Sequence, residues 1–107
     1  MKKIIAFALL CAPFISSANT GAFLIKHIQV EHGHVYMWGD GMQNPKNCDI
    51  SGVVKLDKTK EGFDQMYSLA LTAMASGKKI GFWASHCGAT PWGGKNTNTA
   101  YAAYIKQ

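Results

Sequence analysis

The side chains in this chain of 107 residues best suited to chemistry are its four histidines and three cysteines. His86 and Cys87 stand side by side, the residue types of a base and a thiol nucleophile. Neighbours in an extended segment point to opposite faces, so these two cannot form a dyad with each other. His32 and His34 make a His-x-His pair of the kind that binds metal. They flank a short turn and no third ligand is spaced near them, which favours exposed turn histidines over a metal site. Glu31, Asp40, Asp49, Asp57, Glu61 and Asp64 show no paired spacing suited to acid/base work. Phosphate-loop, dinucleotide, calcium-loop and zinc-protease spacings do not occur. The expectation is a non-catalytic protein with no cofactor and no metal.

Aromatic side chains carry more information. Tyr36 and Trp38 alternate along one short segment, and Trp92 sits in the run Thr90-Pro91-Trp92-Gly93-Gly94. A large ring in such a loop either packs or binds. Saccharides present C–H faces that stack on rings, while nearby amides and hydroxyls take up their hydroxyl groups. His27, Gln29, Tyr36, Trp38 and Trp92 are therefore the candidate ligand-binding residues. The competing reading is that Trp38 and Trp92 complete a core or a subunit interface.

The setting for these residues comes from the N-terminus and the cysteines. Lys2 and Lys3 precede an apolar run from Ile4 to Ala12, and Ser16-Ser17-Ala18 supplies small residues for cleavage. Residues 1–18 match a secretory signal peptide, too short in its apolar run to span a bilayer. That places the working protein, residues 19–107, in the periplasm or outside the cell, with Cys11 discarded along with the leader. Cys48 and Cys87 remain, and in a small exported chain a pair of this kind is expected to be bonded. Without the leader, nine lysines stand against six acids, and there is no arginine. The lysines are spread along the chain, so nucleic-acid binding is not expected.

Elements that could position the candidates are legible. Residues 23–31 and 34–39 are rich in β-branched and aromatic types around His32-Gly33, which suits a two-residue hairpin loop. That loop pairs Glu31 with His34, Val30 with Val35, Gln29 with Tyr36, Ile28 with Met37 and His27 with Trp38. One face then collects Leu24, Ile28, Val30, Val35 and Met37 as core. The other collects Phe23, Ile25, His27, Gln29, Tyr36 and Trp38. A third strand is expected over 48–56. A helix follows over 58–76, capped by Thr59 and ended by Gly77, with Phe63, Met66, Tyr67, Ala70, Leu71 and Met74 facing inward. Two further strands are expected over 79–87 and 99–105. The order βββαββ, mainly β with one helix, suits a small five-stranded OB-like Greek-key barrel in a single domain, with an open α+β sandwich as the alternative.

The Cys-bearing strand followed by FDQMYSLALTAMASGKKI (63–80) resembles the B subunits of the subtilase cytotoxin and typhoid (pertussis-like) toxin group. The resemblance covers roughly residues 22–88. It implies an OB fold, a ring of five subunits with helices toward the centre, and binding of cell-surface glycans. Those B subunits place a sugar-binding serine on the first strand just after an aromatic. Here Phe23 is followed by Leu24, Ile25 and Lys26. The expected function is an exported binding domain, glycan- or cell-surface-binding and self-associating. The alternative is a monomeric periplasmic protein that caps or inhibits a protein partner.

Overall fold

A computed structural model describes residues 18–107. The expected leader, apart from Ala18, lies outside the described residues, as does Cys11. The elements run β1 (Ile25–Glu31), β2 (His34–Gly39), β3 (Ile50–Leu56), α1 (Phe63–Ser76), β4 (Lys79–Ala89) and β5 (Asn96–Lys106). The protein is thus mainly β with one helix, in the order expected. The strands form one open, mixed sheet, β1-β2-β3-β5-β4, in which β3 and β5 are parallel and the other neighbours antiparallel. A closed Greek-key barrel goes further than these strand pairings.

The β1–β2 hairpin pairs as its turn dictates. Glu31 faces His34, and the register continues through Val30–Val35, Gln29–Tyr36 and Ile28–Met37 to His27–Trp38. His32 (φ 53°) and Gly33 (φ 85°) are both left-handed, as a two-residue turn of matching twist requires. The face assignment needs correction. A bulge at Lys26 breaks the register between Ile25 and His27. An extra residue reverses the alternation, so Phe23 and Ile25 join Ile28, Val35 and Met37 against the core. Leu24 is exposed instead, while Val30 lies past the bulge on the Ile28 side and is exposed on edge strand β1. Gly39 allows this, because a Cβ there would fall on the Phe23 ring.

The helix starts five residues later than expected. Thr59 is not its cap: the Thr59 amide and hydroxyl both donate to Asp57 Oδ1, at 2.9 and 2.7 Å, which makes a turn instead. Gly62, with φ 85°, is the N-terminal boundary residue. Gly77 ends the helix as expected, in the left-handed conformation, and its amide reaches back to Met74. Met66, Ala70 and Ala73 form the buried stripe, flanked by Phe63, Tyr67 and Leu69. Leu71 and Met74, expected inside, are 46% and 44% exposed. The buried residues Met66, Ala70 and Ala73 stand at i, i+4 and i+7, so Leu71 and Met74, each one position further on, turn outward.

Strand ends also move. β3 begins at Ile50, after Cys48, whereas β4 extends to Ala89 and β5 starts at Asn96, which shortens the loop between them to residues 90–95. A bulge around Gly52 (φ 82°) interrupts the β3–β5 ladder between Ile50 and Val54. The Thr97 hydroxyl fills the gap by donating to Val53 O at 2.7 Å. Cys48 and Cys87 are bonded, with Cα atoms 5.5 Å apart and 39 residues of separation. Closing a loop of that length is worth about 4 kcal/mol on a chain-entropy estimate. Beside the bridge, Asn44 Oδ1 accepts from Cys48 N and from the side chain of buried Asn98, so the 40–48 connection is held to β5 as well as to β4.

The segment before β1 returns to β4. Ala84 N donates to Ala18 O, Thr20 N to Phe82 O, and Phe23 and Ile80 exchange both backbone bonds at 2.9 Å. These bonds satisfy backbone groups along β4 that the sheet order leaves free.

Candidate functional site

The hairpin alternation puts Tyr36 and Trp38 of β2 on the face away from the helix. The paired positions His27 and Gln29 of β1 share that face. Each alternates with a core residue (Val35, Met37, Ile28), so the hydrophobic pattern that builds the core also aims these four outward. Trp92 arrives separately. Its loop folds over β5 and β3 and closes on itself through Thr90 N to Lys95 O (3.1 Å), Lys95 N to Trp92 O (3.2 Å) and the Thr90 hydroxyl to Lys95 O (2.8 Å). Gly93 and Gly94, both at positive φ, make this tight reversal accessible.

All five candidate residues come together. The Trp92 ring lies 4.8 Å from Tyr36 and 5.4 Å from Trp38, centroid to centroid. The His27 ring meets Trp38 edge-on at 4.8 Å. His27 Nε2 donates to Gln29 Oε1 at 3.0 Å, and the Gln29 amide nitrogen donates in turn to the Glu31 carboxylate. Tyr36 is 2% exposed and forms the floor under Trp92. Trp38, Trp92 and Gln29 are half-buried, and His27 is exposed. The result is an indole wall bordered by an imidazole, an amide and a carboxylate linked in a row. Burial, with Glu31 and Asp57 nearby, pushes the Tyr36 hydroxyl up from the usual tyrosine value, so it stays protonated.

Residues not singled out from the sequence complete the surroundings. Lys55 pairs with Tyr36 across β2–β3 and is 6% exposed. Its ammonium donates to Ala89 O at 2.7 Å and stands 5.9 Å from the Tyr36 ring centroid. The alternation Val53-Val54-Lys55-Leu56 could have placed Lys55 opposite the core, but its partner across the ladder depends on the β2–β3 register. His34 Nδ1 accepts from Lys58 N at 3.1 Å and lies 3.5 Å from Asp57. Burial, with Lys55 nearby, lowers the His34 pKa, and Asp57 opposes this only in part. Burial raises Asp57, but bonds from Thr59 and the charge of Lys55 outweigh it, so the carboxyl sits below its usual value.

His86 and Cys87 do not act together, since Cys87 is in the disulfide. A bulge at Ser85 places its hydroxyl 2.7 Å from His86 Nδ1, but among the described residues no carboxylate holds the other ring nitrogen. Among the described residues no three His, Cys, Asp or Glu side chains are grouped to hold a metal ion. No helix among them is long and apolar enough to cross a membrane. No family model matches the chain, and no curated protein matches it in sequence.

Proposed function

We propose that the protein is an exported, non-catalytic binding domain of the toxin B-subunit kind, whose indole wall takes a saccharide. The observation that carries this is the convergence of Trp38 and Trp92, from different elements, beside the His27–Gln29–Glu31 row. Two partly open indoles give a sugar ring a stacking surface, and the row supplies both donors and acceptors for its hydroxyls.

The proposal includes an OB-like barrel and self-association. Supporting the barrel are the parallel β3–β5 pair, the helix between β3 and β4, and the bonds from residues 18–23 to β4. Supporting self-association is the outer face of α1, where Leu71 and Met74 present apolar surface that a ring with helices toward its centre would cover. The test combines light scattering with a glycan panel on the mature chain. Five subunits and saturable glycan binding sustain the reading. A clean monomer that binds no glycan overturns it in favour of a protein-capping role.

A further inference from the structure

Next to the indole wall, a cleft of about 310 Å³ is lined by His32, His34, Tyr36, Lys55, Thr90 and Pro91. Lys55 lies at its base. The lysine stem runs past Gly88, where a Cβ would stand 3.5 Å from Lys55 Cδ and would fall on the Thr99 hydroxyl. The stem is therefore packed, and the ammonium is held in place rather than free to snorkel to bulk water.

An ammonium carries three N–H donors. One goes to Ala89 O. Among the described residues no carboxylate lies within ion-pair distance of Lys55. The two acids near Tyr36 are occupied: Asp57 accepts from Thr59 and faces His34, and Glu31 accepts from Gln29. Capping a carbonyl needs a donor but no charge; the Lys55 charge acts on Asp57 only from beyond ion-pair distance, and a buried charge without a close partner is costly. His34 adds a second donor. With Nδ1 accepting from Lys58 N, its neutral ring carries the proton on Nε2.

We propose that this cleft is a subsite for an anionic oxygen group, with Lys55 as its counter-charge and His34 as a further donor. The inference rests on the saccharide reading and specifies its ligand: a sugar bearing a carboxylate, sulfate ester or phosphate ester. Tyr36 belongs to both the cleft and the wall, so a ring stacked on the indoles has its substituents beside Lys55.

Tryptophan-fluorescence titrations with glucuronate, glucose 6-sulfate, glucose 6-phosphate and glucose test this and identify which anion fits. The parent should bind at least one anionic sugar tighter than glucose by about tenfold or more, the scale of a charge-assisted hydrogen bond. Lys55→Gln, which keeps N–H donors but not the charge, should lose that preference. Lys55→Met serves the same comparison should Lys55→Gln fail to fold, and Lys58→Gln should retain the preference. Equal binding of anionic and neutral sugars by the parent overturns the inference and leaves the saccharide reading standing. So does an undiminished preference in Lys55→Gln. If no sugar binds, the saccharide reading fails. Melts in sodium sulfate and sodium phosphate against chloride of equal ionic strength then decide the anion site alone. A saturable rise in the parent that Lys55→Gln lacks sustains it, and equal responses end it.

Discussion

Trp92 reaches from the β4–β5 loop across two strands to rest on Tyr36 and Trp38, while the loop's own hydrogen bonds hold its backbone. Removing the ring should therefore uncover Tyr36 without unravelling the loop. Trp92→Ala is expected to cost at least about 1–3 kcal/mol, since its two aromatic contacts are worth about 0.5–1.5 kcal/mol each beyond the area they bury, and to abolish saccharide binding. Denaturant melts and a glycan panel check both parts; unchanged binding would remove the indole wall from the site. His34 gives a second residue-scale prediction. Its folded pKa lies below 6.5, so the unfolded chain takes up its proton first as pH falls. Its contribution to stability is present above about pH 6.5 and is lost as pH drops through that value toward the folded pKa. Melts at pH 7.5 and 5.5 should show the parent losing stability, and His34→Gln should lose less. Asp57 adds its own loss only below the usual carboxylate range, because its folded pKa is also lowered.

At the scale of the element, α1 separates packing from surface. Met66 is 5% exposed and belongs to the core, whereas Leu71 is 46% exposed. Met66→Ala should cost about 2–5 kcal/mol, and Leu71→Ala about 0.5 kcal/mol or less. Equal costs in equilibrium melts would mean that the helix sits in another rotation. Leu71→Glu tests assembly on the same face. A charge introduced at an interface should leave the fold intact and lower the mass measured by light scattering, and an unchanged mass would show that this face stays open to solvent.

The whole molecule is tied together by a few long-range links. The disulfide joins the 40–48 connection to β4, and Asn98 holds the same connection to β5. Reduction should lower stability by about 4 kcal/mol on the loop-entropy estimate, a large fraction of a small domain's total. Melts with and without reductant check this, and non-reduced mass spectrometry should find the chain two hydrogens lighter than its reduced form. Because the bridge and the Trp92 loop lie at the same end of β4, the fluorescence maximum of the reduced protein should also shift to longer wavelength.

Local chemistry was enough to determine the order of elements, the hairpin register and the ends at Gly33 and Gly77, because each depends on residues close together in sequence. The cysteine pair was legible for a different reason: two thiols remain once the leader expected from the sequence is set aside. Other features required the folded chain. The bulge at Lys26 reverses which residues before it face inward, and strict alternation contains no signal for an inserted residue. The rotation of α1 puts Met66, Ala70 and Ala73 against the sheet, so Leu71 and Met74 look like core in sequence and stand outside it in the fold. Trp92 and Lys55 meet Tyr36 only through sheet order and loop folding. Contacts spanning 56 and 19 residues cannot be read from the period of any single element, and tertiary packing alone decided them.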